Sequence, residues 1–220
     1  MQAVANNIAN MSTTGFRREG VIFAEHVADL RGEEPSLSMA TAEGRAVDLS
    51  QGVLQQTGGR YDLAIEGEGF FMAQTPDGNQ LTRAGAFVAS PEGALVTAEG
   101  FAVLDAGGAP IAVPPGATQL TVARDGTLSA DGQPVAQVGV FLPADPNDLI
   151  EVAGTRFKTA QAPQATGDGA VFQGYLEGSN VNPVAEITRM IAVQRAYEMG
   201  QSFLESEDSR IKSVVQTIGR

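Results

Sequence analysis

Between Arg60 and about Phe157 the sequence is broken by glycine turns at short intervals, and this spacing limits what the stretch can fold into. PDG begins at Pro76, PEG at Pro91, AEG at Ala98, DAGG at Asp105, RDG at Arg124 and ADG at Ala130. The segments left between them include YDLAIEG, GFFMAQ, GAFVAS, ALVT, FAVLD, LTVA and AQVGVFL. They mix alternating with continuous apolar character, and none is long enough for the helix that a parallel crossover needs. Hairpins are the connection that such loops make, so this region predicts a β domain of many short antiparallel strands, as a sandwich or an open barrel.

The flanks differ in kind. From Gln2 to about Leu30 the pattern is helix-like but broken: Val4 and Ile8 stand four apart, MSTTG interrupts, and Val21, Ile22, Val27 and Leu30 resume, with Gly15 as a helix stop. Residues 31–59 turn polar and glycine-bearing, which reads as an extended connector with short strands. After GDGAVFQGYLEGSN a long helix is expected, with Asn182 as cap, Pro183 at its first position and Glu186 in the first turn, where the helix dipole favours an acid. Met190, Tyr197, Leu204, Ile211 and Ile218 recur every seven residues, a stripe along roughly 50 Å of helix. Its companion positions Ile187, Gln194, Gln201, Asp208 and Val215 are partly polar, so a two-stranded coiled coil built on this seam alone is weak. The predicted class is α+β: an N-terminal helical segment (1–30), a connector (31–59), a β-rich domain (60–165), and a connector with a long C-terminal helix (166–220).

Chemistry is sparse. Fourteen basic against twenty-six acidic residues give a net charge of −12, which disfavours nucleic acid and anionic membrane surfaces as partners. The chain has no cysteine, no positive n-region followed by an apolar h-region, and no run of about 18 apolar residues, so a soluble chain without a cleaved signal or membrane insertion is expected. The single histidine, His26, lacks the companions of a zinc site or of a nucleophile and base pair, and G-x-S-x-G does not occur. GEGFF at Gly67 lacks the third glycine of a dinucleotide loop and reads as a tight turn or bulge leading into a strand. Glu33 with Glu34, and Glu205 with Glu207 and Asp208, read as solvated charge, and the DG turns at Asp125 and Asp131 lack the alternating oxygens of a calcium loop. No catalytic residue, metal ligand or cofactor is expected. Two readings of the architecture stay open: a monomer whose end helices pack on the β domain, and a subunit whose amphipathic ends are completed by further copies.

The stretch ANNIANMSTTGFRRE, residues 5–19, bears on that choice. It resembles the N-terminal signature of the flagellar axial proteins, the rod, hook and hook-associated family, at Asn7, Ile8, Ala9, Asn10, Thr13, Thr14, Gly15 and Phe16. YDLAIEGEGFFMAQTPDG with LTRAGAF looks like the start of that family's β domain, and LEGSNVNPVAEITRMIAVQRAYE like its C-terminal helix. The compact middle domain resembles rod rather than hook members, and the proximal-rod protein more than the distal one. The resemblance also implies a few helical turns ahead of the signature, where this sequence has Met1 to Ala5.

What the resemblance implies is a structural role. The two ends would pair in a coiled-coil-like layer lining a hollow tube, with the β domain outside. Asn6, Asn7 and Asn10 would make polar contacts where helices of several subunits meet, and Ile8 would be the apolar anchor. Thr13 and Thr14 would end the helix, and Gly15 would turn the chain to send Phe16 outward. Met190, Tyr197, Leu204 and Ile211 would face the inner packing, with Gln194 and Arg195 making polar contacts between subunits. Other rod proteins, copies of itself and the flagellar type III export apparatus are the implied partners. The implied location is the basal-body rod crossing the periplasm, reached by export without a cleaved signal. A secreted or periplasmic β-rich binding module is the rival reading, and an enzyme using acidic residues a remoter one.

Overall fold

The computed structural model describes residues 1–28, 37–117, 119–167 and 169–218. Helix α1 (Gln2–Ala9) leads into a two-stranded ribbon of β1 (Glu19–Ala28) and β2 (Leu37–Val47), in which Glu19 faces Val47 and Ala28 faces Leu37. Short strands follow: β3 (Leu54–Gln56), β4 (Leu63–Glu66), β5 (Phe71–Thr75), β6 (Gly78–Thr82), β7 (Val88–Ala89), β8 (Leu95–Val96) and β9 (Ala102–Val103). Next come β10 (Leu120–Val122), β11 (Thr127–Ala130), β12 (Gln133–Gln137), β13 (Phe141–Leu142), β14 (Ile150–Ala153), β15 (Arg156–Lys158), β16 (Gln164–Ala165), β17 (Ala170–Gln173) and β18 (Tyr175–Glu177). Helix α2 (Pro183–Ile218) ends the described chain.

Every strand pair among the described residues is antiparallel. The largest sheet has seven strands in the order β14-β15-β6-β5-β9-β8-β7, beside the three-stranded β10-β11-β12 and the pairs β13-β16, β17-β4 and β18-β3. The glycine turns make this possible. At ADG the loop between paired Ala130 and Gln133 holds Asp131 at φ 49° and Gly132 at φ 81°, two successive left-handed residues whose twist matches that of the flanking strands.

The β domain is filled by two apolar clusters on opposite sides of its central strands. Phe71, Leu63, Ile65, Leu95, Val103, Ile111, Leu128 and Val171 belong to one, and Phe70, Met72, Leu81, Leu104, Phe141, Leu149 and Phe157 to the other. Consecutive residues such as Phe70 and Phe71, or Val103 and Leu104, point to different clusters, because a strand covered on both faces needs apolar residues at every position rather than at alternate ones. That is why GFFMA and AVL read as continuous runs. Phe71 meets Phe87 edge to face at 5.2 Å, and Phe70 meets Phe157 at 5.9 Å. All buried members of both clusters lie between Leu63 and Val171.

The N-terminal end departs from the sequence reading, and the structure adds detail at both ends. Val21, Ile22 and Val27 do not resume a helix but lie in β1, paired with β2 from Ala28 opposite Leu37 outward; β-branched and aromatic residue types in VIFAEHV fit a pleated strand better than their spacing fits a helix. Leu30 lies outside the described residues. Residues 31–59 include the eleven-residue β2, and residues 166–177 return the chain to the β domain through β17 against β4 and β18 against β3. Of the two α-helices among the described residues, α1 has eight residues, about 12 Å, and packs against α2, which is about 54 Å long, so within one chain it can cover only part of the stripe.

These two environments give opposite expectations. Phe71→Ala should lower the unfolding free energy by about 3–5 kcal/mol, whereas Leu204→Ala, on the open face of α2, should change it by under about 0.5 kcal/mol. Urea denaturation followed by circular dichroism checks both.

Candidate functional site

Three stretches far apart in sequence, GFRRE, LTRAG and LEGSN, close on one another where the two ends of the chain meet the β domain. Gly15 starts the junction. Its φ is +70°, and a Cβ there would lie 2.3 Å from the backbone nitrogen of Ala84, so only glycine lets the chain pass this close. Its N–H donates to the Glu177 carbonyl at 2.7 Å, and Phe16, next along, is buried.

The three charged residues that follow go to three different elements. Arg17 Nη1 pairs with Glu177 Oε1 of β18 at 2.7 Å, both side chains being 0% exposed. Arg18 Nε pairs with Glu186 Oε1 in the first turn of α2 at 2.7 Å, and its N–H donates to Asn180 Oδ1 at 2.7 Å. Glu19 Oε1 accepts from Asn6 Nδ2 of α1 at 2.9 Å. The second carboxylate oxygen of Glu177 is taken by Arg83 Nη1 at 3.0 Å, while Arg83 Nη2 donates to the Gly67 carbonyl at 2.6 Å and the Gly52 N–H donates to Glu177 Oε1 at 2.7 Å. Asn180 Nδ2 ties in the chain after β2 by donating to the Asp48 and Ser50 carbonyls, both at 2.9 Å.

Burying a carboxylate and two guanidinium groups is costly unless each finds partners. Glu177 is fully satisfied, but Arg17 Nε and Nη2 and Arg83 Nε have no hydrogen-bond partner. Burial pushes the Arg83 guanidinium down to about 10, against the pull of Glu177 the other way. At neutral pH it stays charged.

The sequence-predicted residues divide into two sets. Those of the signature make contacts within this chain. Asn7 is buried and exchanges hydrogen bonds with the Glu19 backbone, Nδ2 to the carbonyl at 2.9 Å and Oδ1 from the N–H at 2.8 Å. Asn10 Nδ2 donates to the Asn6 carbonyl and Oδ1, both at 3.0 Å, and Thr13 donates to Asn10 Oδ1. Helix α1 therefore ends at Ala9 with Asn10 as its cap, not at Gly15 or the two threonines. Ile8 and Thr14 are half-buried.

The α2 residues are the second set. Asn182 caps the helix as expected, its Oδ1 accepting from the Ala185 N–H at 3.1 Å. Met190 is half-buried, Gln194 and Arg195 are exposed, and Tyr197, Leu204 and Ile211 stand 66%, 68% and 58% exposed. Ile187, Ile191, Met199, Phe203, Val214 and Val215 are exposed as well. The exposed apolar side chains therefore run along much of the length of α2.

Arg17, Arg83 and Glu177 were missed as site residues. The only signal was charge embedded in otherwise apolar or glycine-rich motifs, which a single sequence does not separate from surface charge. Among the described residues no group of three or more histidine, aspartate or glutamate side chains converges as for a metal ion, and no helix is long and apolar enough to cross a membrane. Asp48 and Asp125 are held below the usual carboxylate range by hydrogen bonds from Ser50 and Thr127, opposite to the shift a general acid needs. Glu207 and Asp208 pair with Arg210 and Lys212 on α2; Glu33 and Glu34 lie outside the described residues.

The three blocks match three family descriptions: "Flagella basal body rod protein" over residues 1–17, "Flagellar hook protein FlgE/F/G D1 domain" over 64–130 and "Flagellar basal body rod FlgEFG protein C-terminal" over 173–217. The chain is 38% identical to the flagellar basal-body rod protein FlgF of Caulobacter vibrioides, covering 100% of this chain and 92% of that protein. It is 34% identical to FlgF of Mesorhizobium japonicum, covering 100% and 91%. Against FlgG of the same Caulobacter the identity is 31%, covering 98% and 92%.

Removing the shared carboxylate tests the junction. Glu177→Ala leaves two buried guanidinium groups without their acid and should cost about 3–5 kcal/mol of stability, read by urea denaturation of the full chain.

Proposed function

The chain belongs to the flagellar basal-body rod protein family, and on that premise we propose that it is a structural subunit of the rod, of the proximal FlgF type, polymerising through its terminal helices. The observation that carries this reading is the contrast between a β domain whose core is complete and a long helix whose stripe is open to solvent over Tyr197, Leu204 and Ile211. Covering each such side chain by a neighbour is worth about 1.5–3 kcal/mol, enough in sum to drive association of several weak contacts. The higher identity to FlgF than to FlgG within one organism supports the proximal over the distal type.

In this reading Met190, Tyr197, Leu204 and Ile211 pack against helices of neighbouring copies and of other rod proteins, with Gln194 and Arg195 making the polar contacts between subunits. Asn6 and Ile8 extend that surface from α1. Asn7, Asn10, Thr14, Gly15 and Phe16 serve it at one remove, by fixing where α1 sits. The β domain lies outside the helical layer, the chain reaches the rod unfolded through the flagellar type III apparatus without a cleaved signal, and the assembled rod crosses the periplasm. No catalytic role, cofactor, nucleic acid or membrane insertion belongs to it.

Electron microscopy of basal bodies from a strain lacking this chain tests the proposal. Rod and hook should be missing and should return with the wild-type chain. The double variant Leu204→Asp with Ile211→Asp should fold, by circular dichroism of the purified protein, yet fail to restore rods. Intact basal bodies in the deletion strain would move the rival binding-module reading to first place, and full rescue by the double variant would remove the helix stripe from the interface.

A further inference from the structure

Besides the partly exposed Asp48, which pairs with Arg18 at 3.8 Å, two buried acids hold the N-terminal segment, and each has a second arginine that does not belong to it. Glu177 is shared by Arg17 and Arg83, and it also accepts the Gly52 N–H; Glu186 is shared by Arg18 and, at 3.3 Å, by Arg189 one turn on in α2. If residues 2–19 lift away, Arg17 and Arg18 enter water, while Glu177 keeps Arg83 and Glu186 keeps Arg189. No buried acid is left alone in the open state. The docked state has its own cost, since Arg17 Nε and Nη2 are buried without hydrogen-bond partners and regain water on release.

The rest of the segment is consistent with movement as a unit. Asn7 bonds the Glu19 backbone and Asn6 its carboxylate, contacts that lie within the segment and do not have to break when the junction opens. Apart from Phe16 and the small Ala3 and Val4, the segment buries no apolar side chain, and neither core cluster has a buried member before Leu63. Besides Phe16 and the packing of α1 on α2, its ties to the rest are polar: Arg17 to Glu177, Arg18 to Glu186 and, at 3.8 Å, to Asp48, Gly15 N–H to the Glu177 carbonyl, Arg18 N–H to Asn180, Asn180 N–H to the Phe16 carbonyl at 3.4 Å, and the Asp48 N–H to the Arg18 carbonyl at 2.8 Å.

We propose that the paired clusters Arg17–Glu177–Arg83 and Arg18–Glu186–Arg189 form a latch, by which residues 2–19 dock on and leave the β domain as one unit while the β domain stays folded. This goes beyond the assembly reading and does not need it: the latch is a property of the single chain. The resident arginines Arg83 and Arg189 set how easily it opens, by receiving each acid when its first partner departs. Opening of this kind below global unfolding is a general property of folded chains, with local free energies set by the contacts that break.

Native-state hydrogen exchange on the full chain separates the latch from an ordinary cooperative core. The amides of Gly15, Arg18 and Asp48 report the junction, and that of Leu104, bonded to the Met72 carbonyl at 2.9 Å, reports the β core. In Arg17→Met the junction amides should exchange at least tenfold faster, with Leu104 unchanged. Arg83→Met should do the opposite at the junction, slowing exchange, because opening would now strand Glu177. Arg189→Met, at a half-exposed position that leaves folding intact, should slow it in the same sense and carries the test if Arg83→Met does not fold. Junction and core amides accelerating together in Arg17→Met, or faster junction exchange in Arg189→Met, would overturn the latch.

Discussion

The two oxygens of one carboxylate, Glu177, determine how this chain is put together. Oε1 takes Arg17 from the N-terminal segment and the Gly52 N–H from the stretch after the ribbon, and Oε2 takes Arg83 from the end of β6. Its own backbone carbonyl receives Gly15. Four parts of the chain therefore meet at a residue with no exposed surface, six positions before α2 begins. A charge so placed is worth keeping only when its partners arrive with good geometry, so the angle at which the N-terminal segment leaves the β domain and the point at which α2 starts are fixed together.

Cohesion is divided between two kinds of force. From Leu63 to Val171 the chain is held by apolar area on both faces of its central strands, a force without direction that tolerates sequence change of similar volume. At the junction the force is directional, carried by ion pairs and amides, and sensitive to single atoms. The division separates a β domain that fills its own core from ends whose placement depends on a few named bonds.

Legibility from sequence followed the same line. The β domain could be read because its cause is local: DG and EG turns set the hairpins, and GFFMA between two layers declares a strand buried on both sides. Asn182, Pro183 and Glu186 announced α2 for the same reason. The β1–β2 ribbon was not legible, because Val21, Ile22 and Val27 also fit a broken helical spacing, and the partner strand LSMATAEGRAV is mostly small or polar residues. The asparagines stood out in the sequence as candidates for contacts between subunits, whereas within the single chain Asn7 spends both ends of its amide on Glu19. Arg17 and Glu177 stayed hidden since they stand 160 positions apart, and each alone looks like any surface charge.

Helix α2 is held at one end only. Its fixed point is the first turn, where Asn182 caps it and Glu186 meets Arg18, and some 45 Å of helix extend beyond that turn. Such a rod acts as a lever. A tilt of about 10° at Glu186 carries the far tip through roughly 8 Å, close to the spacing of two packed helices. The bond between Arg18 and Glu186, a few ångströms long, is thus the fulcrum from which the reach of the whole helix is aimed.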